Sequence, residues 1–116
     1  MSIIDRVKQW YGQSKLWQEW SKMKHHQDYE AIDGNYSERA EALQHDYVVV
    51  EFNENDELWS HGLDSEEETI DLLIDERCKY STDATAYHFS DGIWQVGKKV
   101  RKGKEIILQW AEWDGN

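Results

Sequence analysis

The chain has 116 residues, a formal net charge of −11, seven tryptophans, one cysteine and no proline. This length suits one domain that can bury a core, and the aromatic content separates the chain from disordered acidic proteins, which lack such residues. The negative charge disfavours a nucleic-acid-binding role for the surface as a whole. A single cysteine excludes an intramolecular disulfide or a cysteine-rich zinc site. No apolar run reaches the roughly 18 residues of a membrane span.

The first third of the chain is predicted to be helical. Apolar residues recur at helical spacing over 3–11, and Gly12 is expected to interrupt that helix. Ser14 can cap a second helix, whose apolar stripe would be Leu16, Trp17, Trp20 and Met23. A turn at 33–35 then precedes a third, short helix from Ser37.

The remainder is predicted to be mainly β. The run "DYVVVEFN" is β-branched and aromatic, and the polar turn "NEND" leads to a short strand around Leu58 and Trp59, which completes a hairpin. The pair Asp91-Gly92 lies between two further strand-like runs and predicts a second hairpin. In the last strand, alternation places three apolar residues on one face: Ile106, Leu108 and Trp110.

A helix is expected between the two hairpins. Ser65 and Glu68 form a capping-box pattern that predicts a helix over about 65–78, with a buried stripe of Ile70, Leu73, Ile74 and Cys78. The predicted fold is a single α+β domain over 1–116, mainly helical over 1–45 and mainly β over 46–116. It has N-terminal helices, then an antiparallel sheet of about five strands with one helix inserted between two hairpins, and we expect the helices to pack on one face of the sheet.

Charge is segregated along the chain. Residues 1–27 are net +3, residues 28–76 net −16, residues 77–104 net +5 and the last twelve residues net −3. At 100° per residue, the inserted helix places five carboxylates within one arc of about 100°. They are Asp64, Glu67, Glu68, Asp71 and Asp75.

Two interpretations of this arc remain open. Carboxylates in a first turn are favourable at the positive end of the helix dipole, so the arc could be an ordinary solvated face. However, like charges four residues apart, as in Glu67–Asp71–Asp75, cost about 0.2–0.5 kcal/mol per pair, which favours a recognition role. The lysine-rich segment at 97–104 could instead fold back and neutralise the arc.

The main functional hypothesis is a small acidic module that binds a basic protein and blocks its nucleic-acid-binding or nuclease surface. Toxin-immunity proteins, phage-type inhibitors and DNA mimics offer an analogy of size and charge. The predicted binding residues are the five of the arc, with Glu54, Asp56 and Glu57 at the rim. We expect no catalytic activity, cofactor or metal, no direct nucleic-acid or membrane partner, and a cytoplasmic location, because Asp5 interrupts the apolar stretch that a signal peptide needs.

One alternative is a nucleic-acid-binding module that uses the last hairpin. Its five cations lie between Trp94 and Trp110, and cationic loops beside aromatic platforms suit single-stranded nucleic acid. The cations are Lys98, Lys99, Arg101, Lys102 and Lys104. We expect both tryptophans to face the core, which would weaken this alternative.

The five histidines suggest another alternative, a metal-dependent hydrolase. The order His26, His45-Asp46 and Asp71 resembles the H…HD…D ligand set of HD-domain phosphohydrolases, which implies a metal at those residues. That family is all-helical, whereas Asp46 here leads directly into a β-rich segment. Isolated surface or half-buried histidines are the simpler interpretation of His25, His26, His45, His61 and His88.

Overall fold

The computed structural model describes residues 3–13, 34–52, 58–74 and 84–113. The helices within these ranges are α1 (Ile3–Gln13), α2 (Tyr36–Ala42) and α3 (Glu66–Ile74). The strands are β1 (Tyr47–Phe52), β2 (Leu58–Leu63), β3 (Thr85–Ser90), β4 (Ile93–Lys102) and β5 (Glu105–Glu112). The predicted α+β class is confirmed. The helix predicted from Ser14 falls outside the described residues.

The sheet has the order β2-β1-β3-β4-β5, and all neighbouring strands are antiparallel. Strands β1 and β2 form the first predicted hairpin, and β3 and β4 form the second. The two hairpins are joined by the pairing of β3 with β1. At the β3–β4 turn, Asp91 has a φ of 54° and Gly92 a φ of 80°. Consecutive positive φ values are what a type I′ turn requires, so the Asp-Gly pair determines this connection.

Helices cover both faces of the sheet, which corrects the expectation that they pack on one face. Val48 and Val50 point to a core formed with α1 and α2, whereas Val49 points to a core formed with α3. All three valines are at most 7% exposed. A strand buried on both sides has a continuous apolar run instead of an alternating one, which is the pattern of β1.

The core on the α1 side is centred on Trp94, which is fully buried. Its indole Nε1 donates to the backbone oxygen of Arg6 at 3.1 Å. The Arg6 guanidinium lies 4.5 Å from the centre of the Phe89 ring and donates to the backbone oxygen of His45 at 2.9 Å. One basic side chain therefore joins α1 to the segment that leads into β1. Helix α1 continues through Gly12, so that glycine does not interrupt it.

The core on the α3 side depends on small residues in β3 and β4. Ala86 and Gly97 are direct cross-strand partners, and the Trp110 ring of β5 lies over Gly97. A Cβ at Gly97 would lie 2.7 Å from Trp110 Cζ3. The indole Nε1 of Trp110 donates to Glu66 Oε1 at 3.1 Å, which connects β5 to the start of α3.

The Gly97→Ala substitution should lower the free energy of unfolding by about 1–3 kcal/mol, because the added methyl group overpacks the contact with Trp110. Urea denaturation with linear extrapolation measures this change. Gly34→Ala is the control, because nothing lies within 4 Å of a Cβ at Gly34. A Gly97→Ala protein as stable as wild type would contradict the described packing of Trp110.

Candidate functional site

Helix α3 begins with the predicted capping box. The Ser65 hydroxyl accepts from the Glu68 N–H at 3.1 Å, and Glu68 Oε2 accepts from the Asp64 N–H at 3.1 Å. Two N–H groups that have no partner inside the helix are thereby satisfied, and a carboxylate is held at the positive end of the helix dipole.

The buried side of α3 differs from the predicted stripe. Thr69 and Leu73 are 0% and 7% exposed, whereas Ile74 is 54% exposed, so the expectation that Ile74 is buried was wrong. Thr69 was missed because it is polar, but its hydroxyl donates to the Ser65 carbonyl at 2.8 Å and is satisfied within the helix. Cys78, also placed in the stripe, lies outside the described residues.

This packing directs the carboxylates away from the core. If Glu67 is taken as 0°, Thr69 and Leu73 lie at about 200° and 240°, and Asp71 lies at about 40°. Glu67 and Asp71 therefore lie about 120–160° around the helix from the buried side chains. The acidic face, as we define it, consists of four exposed residues: Asp64, Glu67, Glu68 and Asp71. Asp75 and the predicted rim residues Glu54, Asp56 and Glu57 lie outside the described residues.

Within the described residues, no lysine or arginine forms an ion pair with the acidic face. Arg39 is the single basic residue of segment 28–76, and it is 0% exposed, with its guanidinium 5.7 Å from the Trp10 ring centre. Burial lowers the pKa of Arg39, an effect that Tyr11 and Tyr87 oppose. The described ion pairs within 4 Å join Arg6 to Asp46, His45 to Asp64 and His61 to Glu51.

A groove of about 550 Å³ runs between α3 and β5. Among the described strands, β5 pairs only with β4, so the groove follows an edge of the sheet. The lining residues combine carboxylates with half-buried isoleucines. They are Glu66, Glu67, Ile70, Asp71, Glu105, Ile106 and Ile107. The site therefore offers negative charge next to apolar surface.

The β4–β5 hairpin extends beyond the other described strands. The last β3–β4 pair is Ala86 with Gly97, whereas β4 continues to Lys102 with β5 as its partner. We call residues 98–104 the basic arm. Its five cations are exposed, and none of them makes an ion pair with a described carboxylate: Lys98, Lys99, Arg101, Lys102 and Lys104.

The tryptophans beside the arm are not exposed platforms. Trp94 is 0% exposed in the α1-side core, and Trp110 is half-buried on the α3 side, where its Nε1 donates to Glu66. They lie on opposite faces of the sheet. Trp94 thus packs in the core as expected, and Trp110 packs against the other layer.

Each described histidine has a different partner. His45 Nδ1 bonds to Asp64 at 2.9 Å, His61 Nε2 bonds to Glu51 at 2.9 Å, and His88 stacks on Tyr47 with ring centres 4.1 Å apart. Burial lowers the pKa of His88, although nearby Asp46 and Glu66 oppose that change. Over the described ranges, no three His, Cys, Asp or Glu residues are arranged to hold a metal ion. His25 and His26 are outside those ranges.

Comparison with protein-family models, with curated protein sequences and with solved structures found no match. None of the described helices is both long enough and apolar enough to cross a membrane.

Asp71→Lys should raise the free energy of unfolding by about 0.5–1 kcal/mol, because it converts the repulsion with Glu67 into attraction and places a cation near the end of the helix. Glu68→Lys makes the same charge change but removes the capping-box bond, so it should cost about 1 kcal/mol. Urea denaturation of the two variants measures both changes. Equal effects of the two variants would mean that net charge alone governs the stability of α3.

Proposed function

We propose that this protein is a small acidic binding module that attaches to a basic protein and blocks its nucleic-acid-binding or nuclease surface, as inhibitors of the immunity or DNA-mimic type do. The observation that carries the proposal is the position of the acidic face. Glu67 and Asp71 lie on the side of α3 that faces away from the buried Thr69 and Leu73, with no described cation paired to them.

The first support is energetic. Glu67 and Asp71 are four residues apart on the same face, and a lysine at position 71 would stabilise α3. A sequence that keeps a locally unfavourable pair at an exposed position forgoes stability, and such departures concentrate at functional sites. The buried contacts of Leu73 are worth more than the repulsion costs, so the fold tolerates the pair.

The second support is the combination of charge with apolar surface. Protein interfaces bury an apolar centre inside a polar rim. The groove between α3 and β5 has this composition, with Ile70 and Ile106 beside Glu67 and Asp71. A basic partner could place apolar side chains in the groove and cations on the acidic face.

The third support is long-range attraction. A chain of net charge −11 attracts a basic partner and repels nucleic acid, so it both speeds its own encounter and competes with the partner's natural ligand. Successive turns of α3 present carboxylates about 6 Å apart along the helix axis. A surface that grips a regular row of phosphates could bind such a row.

The double variant Glu67→Lys/Asp71→Lys should weaken binding to the authentic partner by at least about tenfold, because cations would then face cations. The partner is first captured from the native cell with tagged wild-type protein, and calorimetry with the purified partner then gives the affinities. Glu112→Lys is the matched control, an exposed carboxylate of β5 that does not line the groove.

Wild-type binding should also weaken as salt rises, because exposed charges are screened within about 8 Å at physiological ionic strength. Unchanged affinity of the double variant would refute the role of the acidic face, even if a partner had been captured.

A second candidate function is favoured by the basic arm. A two-stranded ribbon with five exposed cations has the shape and charge to contact a nucleic acid. The buried position of Trp94 removes one of the two stacking platforms that this function would use. The negative charge of the remaining surface opposes it as well.

Single-stranded DNA should therefore not bind measurably at 150 mM salt. Fluorescence anisotropy with a labelled oligonucleotide, at low and at moderate salt, measures this. Salt-sensitive binding that disappears when Lys98, Lys99, Arg101 and Lys102 are replaced by Gln would instead support the second candidate.

A further inference from the structure

A second, smaller pocket lies where α2 meets the edge strand β2. Its volume is about 200 Å³, which suits one side chain better than a drug-sized molecule. The lining residues come from α2, from the segment before β1 and from β2. They are Glu38, Glu41, Ala42, His45, Ser60 and Gly62. We call this cavity the α2–β2 pocket.

Ser60 provides the first sign of a ligand. The residue is only 9% exposed, and its Oγ has no hydrogen-bond partner. A buried hydroxyl without a partner is unfavourable, and most such groups in proteins are satisfied. A bound group that donates a hydrogen bond would satisfy it.

His45 is held in a fixed orientation beside Ser60. Its Nδ1 donates to Asp64 Oδ1 at 2.9 Å, because a carboxylate can only accept. The ring also lies against Gly62, where a Cβ would be 2.2 Å from His45 Cδ2. No other residue fits at position 62 while the ring stays in place.

Three polar side chains that line the α2–β2 pocket can accept hydrogen bonds. They are Ser60, through its Oγ, and the carboxylates of Glu38 and Glu41. Such a set favours a ligand that donates several hydrogen bonds and carries positive charge. The guanidinium group has five N–H donors in one plane and is more weakly hydrated than an ammonium group, so it suits a partly enclosed site.

We propose that the α2–β2 pocket binds one guanidinium group, supplied by an arginine side chain of the basic partner. That the arginine belongs to a basic partner rests on the proposed function, whereas the preference of the pocket for a guanidinium group does not. Asp64 connects the two sites, because it belongs to the acidic face and also orients His45. A partner on the acidic face could thus insert an arginine into the pocket without a second docking surface.

The test is an NMR titration of the ¹⁵N-labelled protein with N-acetylarginine methylamide. The matched ligand is N-acetylcitrulline methylamide, which has nearly the same shape and no charge. The arginine compound should produce saturable shifts at the amides of Ser60, Gly62 and His45, and the citrulline compound should bind at least about tenfold more weakly.

Two variants locate the binding. Ser60→Ala and Glu41→Gln should each lower the affinity for the arginine compound by about tenfold. Glu112→Gln, at the opposite edge of the sheet, should leave that affinity unchanged. Glu41 is exposed, so Glu41→Gln carries the test even if Ser60→Ala does not fold.

The proposal is overturned if the arginine compound causes no saturable shifts at the pocket, if the citrulline compound binds equally well, or if both pocket variants bind like wild type. The Glu67→Lys/Asp71→Lys variant separates this result from the proposed function. It should bind the partner at least about tenfold more weakly and still bind the arginine compound in the pocket. If this variant binds the partner as tightly as wild type and still binds the arginine compound, the role of the acidic face is refuted and the pocket proposal stands.

Discussion

The packing of Leu73 against the sheet, together with the burial of Thr69, determines which side of α3 faces solvent. Leu73 contacts the core formed by Val49, Ala86 and Leu108, and a helix fixed by these contacts has only one orientation about its own axis. That orientation points Glu67 and Asp71 to solvent. The capping box at Ser65 and Glu68 fixes where the helix begins, so both the direction and the position of the carboxylates are determined.

The energies explain why this arrangement is stable despite its charge. Burial of a leucine side chain contributes about 1.5–3 kcal/mol, whereas a repulsive pair four residues apart costs about 0.2–0.5 kcal/mol. The core therefore outweighs the repulsion, and the acidic face needs no compensating cation to persist. The sheet makes the core possible, because Ala86 and Gly97 leave room for Trp110 beneath α3.

Local signals in the sequence predicted much of the fold. Asp91-Gly92 specified a hairpin turn, and Ser65 with Glu68 specified a helix start, because both depend on neighbouring residues alone. The strand order could not be predicted, since the β1–β3 pairing joins residues far apart in sequence. The packing of helices on both faces of the sheet was not predicted either, although the unbroken valine run of β1 is consistent with it.

The acidic face was also predicted only in part, because its spacing is a local signal and the rotation of its helix is not. The helical arc of carboxylates follows from spacing, but the rotation of α3 depends on Thr69, whose burial requires a bond to the Ser65 carbonyl that the residue type does not reveal. The α2–β2 pocket joins α2, the segment before β1, and β2. Contacts between such distant parts of the chain leave no periodic signal, so neither His45 nor Ser60 could be assigned to one site.

The acidic face can bind a basic partner only if the basic arm does not neutralise it. Arg101 is the arm cation to examine, because it lies on the α3 side opposite Ile106, which lines the groove with Asp71. A double-mutant cycle with Asp71→Asn and Arg101→Gln, measured by urea denaturation at low salt, gives their coupling energy. We expect additive effects, with a coupling below about 0.5 kcal/mol, whereas a favourable coupling above about 1 kcal/mol would show that the arm neutralises the acidic face and would contradict its role in binding.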